Sequence, residues 1–177
     1  MIKINNEKRA QIWIETVIYT TIALILISVV LAFFTPKINQ AREKLVIEQS
    51  IQQLQELDDK IQAVVSKGEG NRRIVQIKIN TGTIFINSSN DSISIVMEGL
   101  RGLYAEPNVL IKSGSVGILV EKKQRGSSVH LSLNYPFNIT YSGKDSEEPA
   151  VFTYAANAYK FSLTNNRNSG VDIEEIS

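Results

Sequence analysis

The sequence predicts an α+β protein: a long hydrophobic N-terminal helix, transmembrane and kinked near Pro36, that continues into an amphipathic helix and then an antiparallel β-sheet or β-sandwich head. Three observations predict it. Residues 16–34 carry no charge and are apolar at 15 of 19 positions. Ile47, Ile51, Leu54, Leu57, Ile61 and Val64 then recur every three or four residues, the spacing of one helix face. Beyond Gly70 the apolar period falls to two, the spacing of a half-buried strand.

Composition sets the outer limits. The 177 residues carry 19 Lys+Arg against 18 Asp+Glu, a formal charge of +1. Nucleic-acid binding needs clustered cations that release phosphate counterions, so no nucleic-acid partner is expected. The absence of cysteine removes disulfides, thiolate nucleophiles and Cys-ligated metal centres.

The apolar segment is the first element. At about 1.5 Å rise per residue its 19 positions cover roughly 28 Å, close to the hydrocarbon thickness of a bilayer. It is apolar all round, whereas a helix lying on a small domain keeps a polar face. Leu31-Ala32-Phe33-Phe34-Thr35-Pro36 offers no small-x-small cleavage site, so the segment is expected to stay on the protein. Lys3, Lys8 and Arg9 before it balance Lys37, Arg42 and Lys44 after it, and the basic flanks do not orient it.

Glu15 is the only charged residue between Arg9 and Lys37. A carboxylate in an apolar span costs roughly 2.5–3.5 kcal/mol at mid-membrane, so it calls for a partner. Ahead of it stand Lys8-Arg9-Ala10-Gln11, a basic pair followed by a small residue, with Glu15 five residues after Ala10. This arrangement resembles the class III signal peptide of archaeal type IV pilins and archaellins, over about the first 50 residues. The resemblance implies a basic leader over 1–10 removed by a prepilin-type leader peptidase after Ala10. Gln11 then becomes the new N-terminus and Glu15 the fifth mature residue. It further implies a filament-core helix over 11–35 and partners that are the membrane and other pilin-like subunits. On physical grounds, the amine freed at Gln11 of a neighbouring subunit would meet Glu15 and set the stagger between helices.

Pro36 removes a helical donor and is expected to kink the helix or start a new one. The amphipathic helix spans 36–67, with Glu56 and Lys60 ordered for an i,i+4 pair, Lys67 in the last turn and Gly68 as a left-handed cap. The head, 68–177, is read from alternation at Val75-Ile77-Ile79, Ile93-Ile95-Met97, Val129-Leu131-Leu133-Tyr135 and Tyr159-Phe161-Leu163. Glycine-containing turns at 80–82, 113–115, 124–127 and 142–145 separate these runs.

No catalytic constellation emerges, and no enzyme activity or cofactor is expected. His130, the only histidine, alternates onto the polar side of its strand with Ser128 and Ser132, and no serine sits in a Gly-x-Ser-x-Gly elbow. Asp145, Glu147 and Glu148 lack the ligand spacing of a calcium loop. Asn87, Asn90 and Asn138 head N-x-S/T triplets and are candidate glycosylation acceptors on an extracytoplasmic head, Asn87 and Asn90 the better placed in a turn-like stretch. The expected function is therefore a pilin-like structural subunit at the cell surface. The competing expectation is a non-polymerising single-pass anchor whose head binds a ligand or partner.

Overall fold

The computed structural model describes residues 6–166 and 170–176, with side chains from Ile12 onward in the N-terminal helix. The chain forms two compact units, Met1–Ala41 and Arg42–Ser177, and their border falls within a single assigned helix, α1 (Asn6–Ser66).

In the first unit the backbone is helical from Asn6, and the side chains of Ile12–Phe34 stand exposed on the isolated chain. This helix is long and apolar enough to cross a membrane. Its hydroxyls are satisfied locally: Thr16, Thr20, Thr21, Ser28 and Thr35 each donate to the carbonyl four residues back, at 2.6–2.9 Å. A hydroxyl so bonded leaves no unmet polar group facing an apolar medium. Pro36 does not start a new helix. The assigned helix runs through it, with Thr35 Oγ1 bonded to the Leu31 carbonyl one turn earlier.

The second unit joins the rest of α1 to ten strands among the described residues: β1 (Arg72–Ile77), β2 (Thr83–Asn87), β3 (Ser92–Leu100), β4 (Leu110–Ser113), β5 (Val116–Lys123), β6 (Gly126–Asn134), β7 (Ile139–Tyr141), β8 (Ala150–Phe152), β9 (Tyr159–Asn166) and β10 (Gly170–Ile176). They form a four-stranded sheet, β1-β9-β10-β7, and a six-stranded sheet, β4-β5-β6-β3-β2-β8. The six-stranded sheet is antiparallel throughout. The four-stranded sheet departs from the expected antiparallel pattern at one place, where β7 and β10 pair in parallel through Val171↔Ile139 and Ile173↔Tyr141. Parallel neighbours need a long crossover, here the chain from β8 through β9.

Alternation places one cross-strand row on each face of the larger sheet. Phe152, Ile84, Ile95, Leu131, Ile118 and Ile111 make an inner row that is apolar from edge to edge. The row beside it, Val151, Phe85, Ser94, Ser132, Gly117 and Lys112, faces outward. The inner face shares one core with Val75, Phe161, Leu163 and Ile173 of the smaller sheet and with all six stripe residues of α1. Phe152 sits where the sheets meet, edge-to-face with Tyr141, Tyr159 and Phe161 at 5.0–5.8 Å. Such contacts between quadrupoles add to the area buried.

Polar contacts fix α1 over this core. Gln55 Nε2 donates to the Ser113 carbonyl at 3.0 Å, and Lys60 Nζ lies 2.8 Å from Glu56 as the i,i+4 order predicts. The helix ends at Ser66, one residue before the predicted limit, and Lys67 lies outside the last turn. Asn165 of β9 donates to the carbonyls of Val64 and Val65 instead, at 3.2 and 3.4 Å, and the Gly68 amide also reaches Val65 at 3.3 Å. Gly68 follows at φ +86°, the left-handed cap expected. Gly126, at φ +98°, is required for a second reason. A Cβ there would meet the Leu100 carbonyl oxygen at 2.4 Å, where the β3–β6 register shifts.

Candidate functional site

Two regions hold the residues singled out by sequence. Ala10 and Gln11 lie in the helical backbone of α1, and their side chains fall outside the described residues. Gln11 precedes Glu15 by four positions, so their Cα atoms share a helix face about 6 Å apart along the axis. Glu15 is exposed and has no ion pair among the described residues. The helix around it presents Ile12 (62 % exposed), Ile18 (50 %) and Tyr19 (70 %) one turn away, so the carboxylate is an isolated acid on an apolar surface. An isolated acid on such a surface gains from any cation brought to the same depth.

On the head, the three asparagine triplets come together at one end. Asn87 closes β2, and its Oδ1 accepts from Ser89 Oγ at 2.9 Å and from the Asn90 amide at 3.3 Å. Asn90 is exposed in the β2–β3 turn, and Asn138 is exposed just before β7. Asp91 joins the two loops: its Oδ1 accepts from the Ile139 amide at 2.8 Å, and its carbonyl accepts from the Tyr135 amide at 3.0 Å. Asp91 adopts φ +47°, a conformation an Asp tolerates in a tight turn. Sequence reasoning did not single out Asp91; the Asn-Ser-Ser-Asn-Asp run signals the turn but not the partner 48 residues on. Glu43 was likewise not singled out. Its carboxylate accepts from the amides of Arg101 and Gly102, at 2.9 and 3.2 Å, and pins the loop before β4 to α1.

His130 is half-buried on the outer face of β6. Ser128 Oγ lies 3.4 Å and Glu121 Oε2 3.6 Å from it, but both contacts fall on Nε2. A relay of the Ser-His-acid kind uses the two ring nitrogens separately, one for the acid and one for the nucleophile. Here the acid and the hydroxyl compete for one. Ser128 is also fully buried. Nearby, the Lys123 ammonium hydrogen-bonds Glu98 and holds that carboxyl below its ordinary range, while Lys123 is raised in turn. Among the described residues no three carboxylate or imidazole groups gather as a metal site, and Asp145, Glu147 and Glu148 stay exposed in the loop before β8.

Among the buried polar groups of the head is the Tyr135 hydroxyl. The carboxylate of Asp58, itself buried on α1, acts on it through its charge and a side-chain hydrogen bond. Burial first, and Asp58 second, push the phenol well above its ordinary range.

These features define an α+β chain, one long apolar N-terminal helix followed by a β-rich head. Comparison with protein-family models, curated proteins and solved structures finds no match.

Proposed function

We propose that the protein is an archaeal type IV pilin-like structural subunit or minor pilin. It is cut after Ala10 by a prepilin-type leader peptidase, and it joins or associates with a cell-surface filament with its β-head outside the cytoplasm. The observation that carries the reading is Glu15, a lone carboxylate in an exposed apolar helix, five residues beyond a basic pair and a small residue. Cleavage frees an α-amine on Gln11 at nearly the same depth. A pair between that amine and Glu15 of a neighbouring helix fixes the axial stagger, since a charge mismatched in an apolar medium is costly. Close packing of the apolar helices supplies the attraction itself.

Glu15→Gln and Glu15→Leu test it. Both leave the span apolar, so the amount of protein in the membrane stays as in the parent. Filaments counted by electron microscopy fall at least tenfold, a change equivalent to about 1.4 kcal/mol. Filaments in parental numbers would reject the pairing role. A parent that forms no filaments and binds a partner as single molecules would favour the anchored alternative.

A further inference from the structure

The six-stranded sheet ends in two strands with a neighbour on one side only, β4 beside β5 and β8 beside β2. An open edge presents unpaired ladder donors and acceptors, a template for another strand. Every pair in this sheet is antiparallel, and β4 and β8 are its first and sixth strands, so they run in opposite directions. Laying β4 of one copy against β8 of another therefore continues the antiparallel alternation without a break.

The side chains at the two edges match. The inner apolar row begins with Phe152 and ends with Ile111, which is 36 % exposed at its open edge. Joining the edges lines up Ile111 with the next copy's Phe152. On the outer face, Leu110 (62 % exposed) stands at one edge and Val151 (52 %) at the other. The charges match as well. Lys112 on β4 and Glu147 and Glu148 before β8 are exposed, and none has an ion pair among the described residues. Antiparallel pairing carries the acidic segment past the end of β4 that bears Lys112.

We propose that heads of successive copies of this chain join edge to edge, β4 of one against β8 of the next. The contact uses different surfaces on its two sides, so each added copy leaves one edge open and the array grows as a chain. The inference deepens the filament reading and rests on it only for the setting in which heads meet.

The chain has no cysteine, so introduced thiols report without background. Full-length Leu110→Cys, Val151→Cys and the double variant, in native membranes, are treated with a short bismaleimide. The double variant gives a ladder of dimers, trimers and higher species, and each single variant stays monomeric. Dimers from Leu110→Cys alone, from Val151→Cys alone, or no ladder in the double variant would overturn the proposal. Electron microscopy of the same samples separates the two readings. Filaments without a ladder overturn the edge contact and leave the filament; a ladder without filaments supports the contact and removes the filament. Lys112→Glu in the double variant weakens the ladder at least fivefold, and adding Glu147→Lys and Glu148→Lys restores it. A ladder indifferent to both changes contradicts the charge match.

Discussion

The Tyr135 hydroxyl is buried beside the Asp58 carboxylate, and leaving a buried polar group short of a partner costs about 1–3 kcal/mol. Tyr135→Phe keeps the ring and its tilted contact with Phe137 at 5.1 Å. It removes the hydroxyl from Asp58, so thermal unfolding at pH 7 should show a Tm lower by several degrees; a Tm equal to or above the parent's would mean the hydroxyl does not support Asp58. The pH dependence follows from the raised phenol. Below its ordinary value of 10.0 the group is neutral folded or unfolded, and its contribution is fully present. As pH rises beyond that value the unfolded chain ionises first, and stability is lost until the folded phenol titrates too. The parent's Tm should fall more steeply than that of Tyr135→Phe between pH 9 and 11, and parallel curves would contradict the raised phenol. Glu15 was legible in the sequence because nothing charged surrounds it. Asp91 and Glu43 were not: each acts through backbone amides 48 to 59 residues away, and no local pattern encodes that distance.

At the scale of elements, periodicity carried what it is able to carry. The structure buries the α1 stripe and the apolar residues that alternation selects in β1, β3 and β6, whereas in β9 Phe161 and Leu163 are buried, Tyr159 is half-buried and Ser162 between them is buried as well. β7 and β8 have three residues each, too few for a period to register, and Glu174-Glu175 disguises β10 as a polar tail. β5 reads as a run rather than an alternation because Gly117 packs flat against Ser132, within 3.0 Å of where its Cβ would stand. The β7–β10 parallel pair depends on strand order, which residue spacing does not determine. The energetic weight of the α1 stripe is measurable. Ile61→Ala, at a fully buried position, should cost about 2–5 kcal/mol and lower the Tm by roughly 4–20 °C. Leu45→Ala, at a position 54 % exposed, should leave the Tm within a degree or two. Equal effects at the two positions would mean that the stripe does not bind α1 to the head.

For the whole molecule, the apolar helix and the β-head pose one physical problem each. The helix exposes Ile12–Phe34, which needs a bilayer or other helices to cover it. The head closes its core with the α1 stripe and leaves sheet edges such as β4 and β8 open. A subunit whose greasy rods bundle while its heads face water solves both. That solution depends on a positive chain terminus at Gln11, and it is tested most directly by mass spectrometry of the N-terminal peptide from protein in its native membrane. The expected result is a mature chain beginning at Gln11, with residues 1–10 gone. A mature chain that still carries Lys8-Arg9-Ala10 would contradict it.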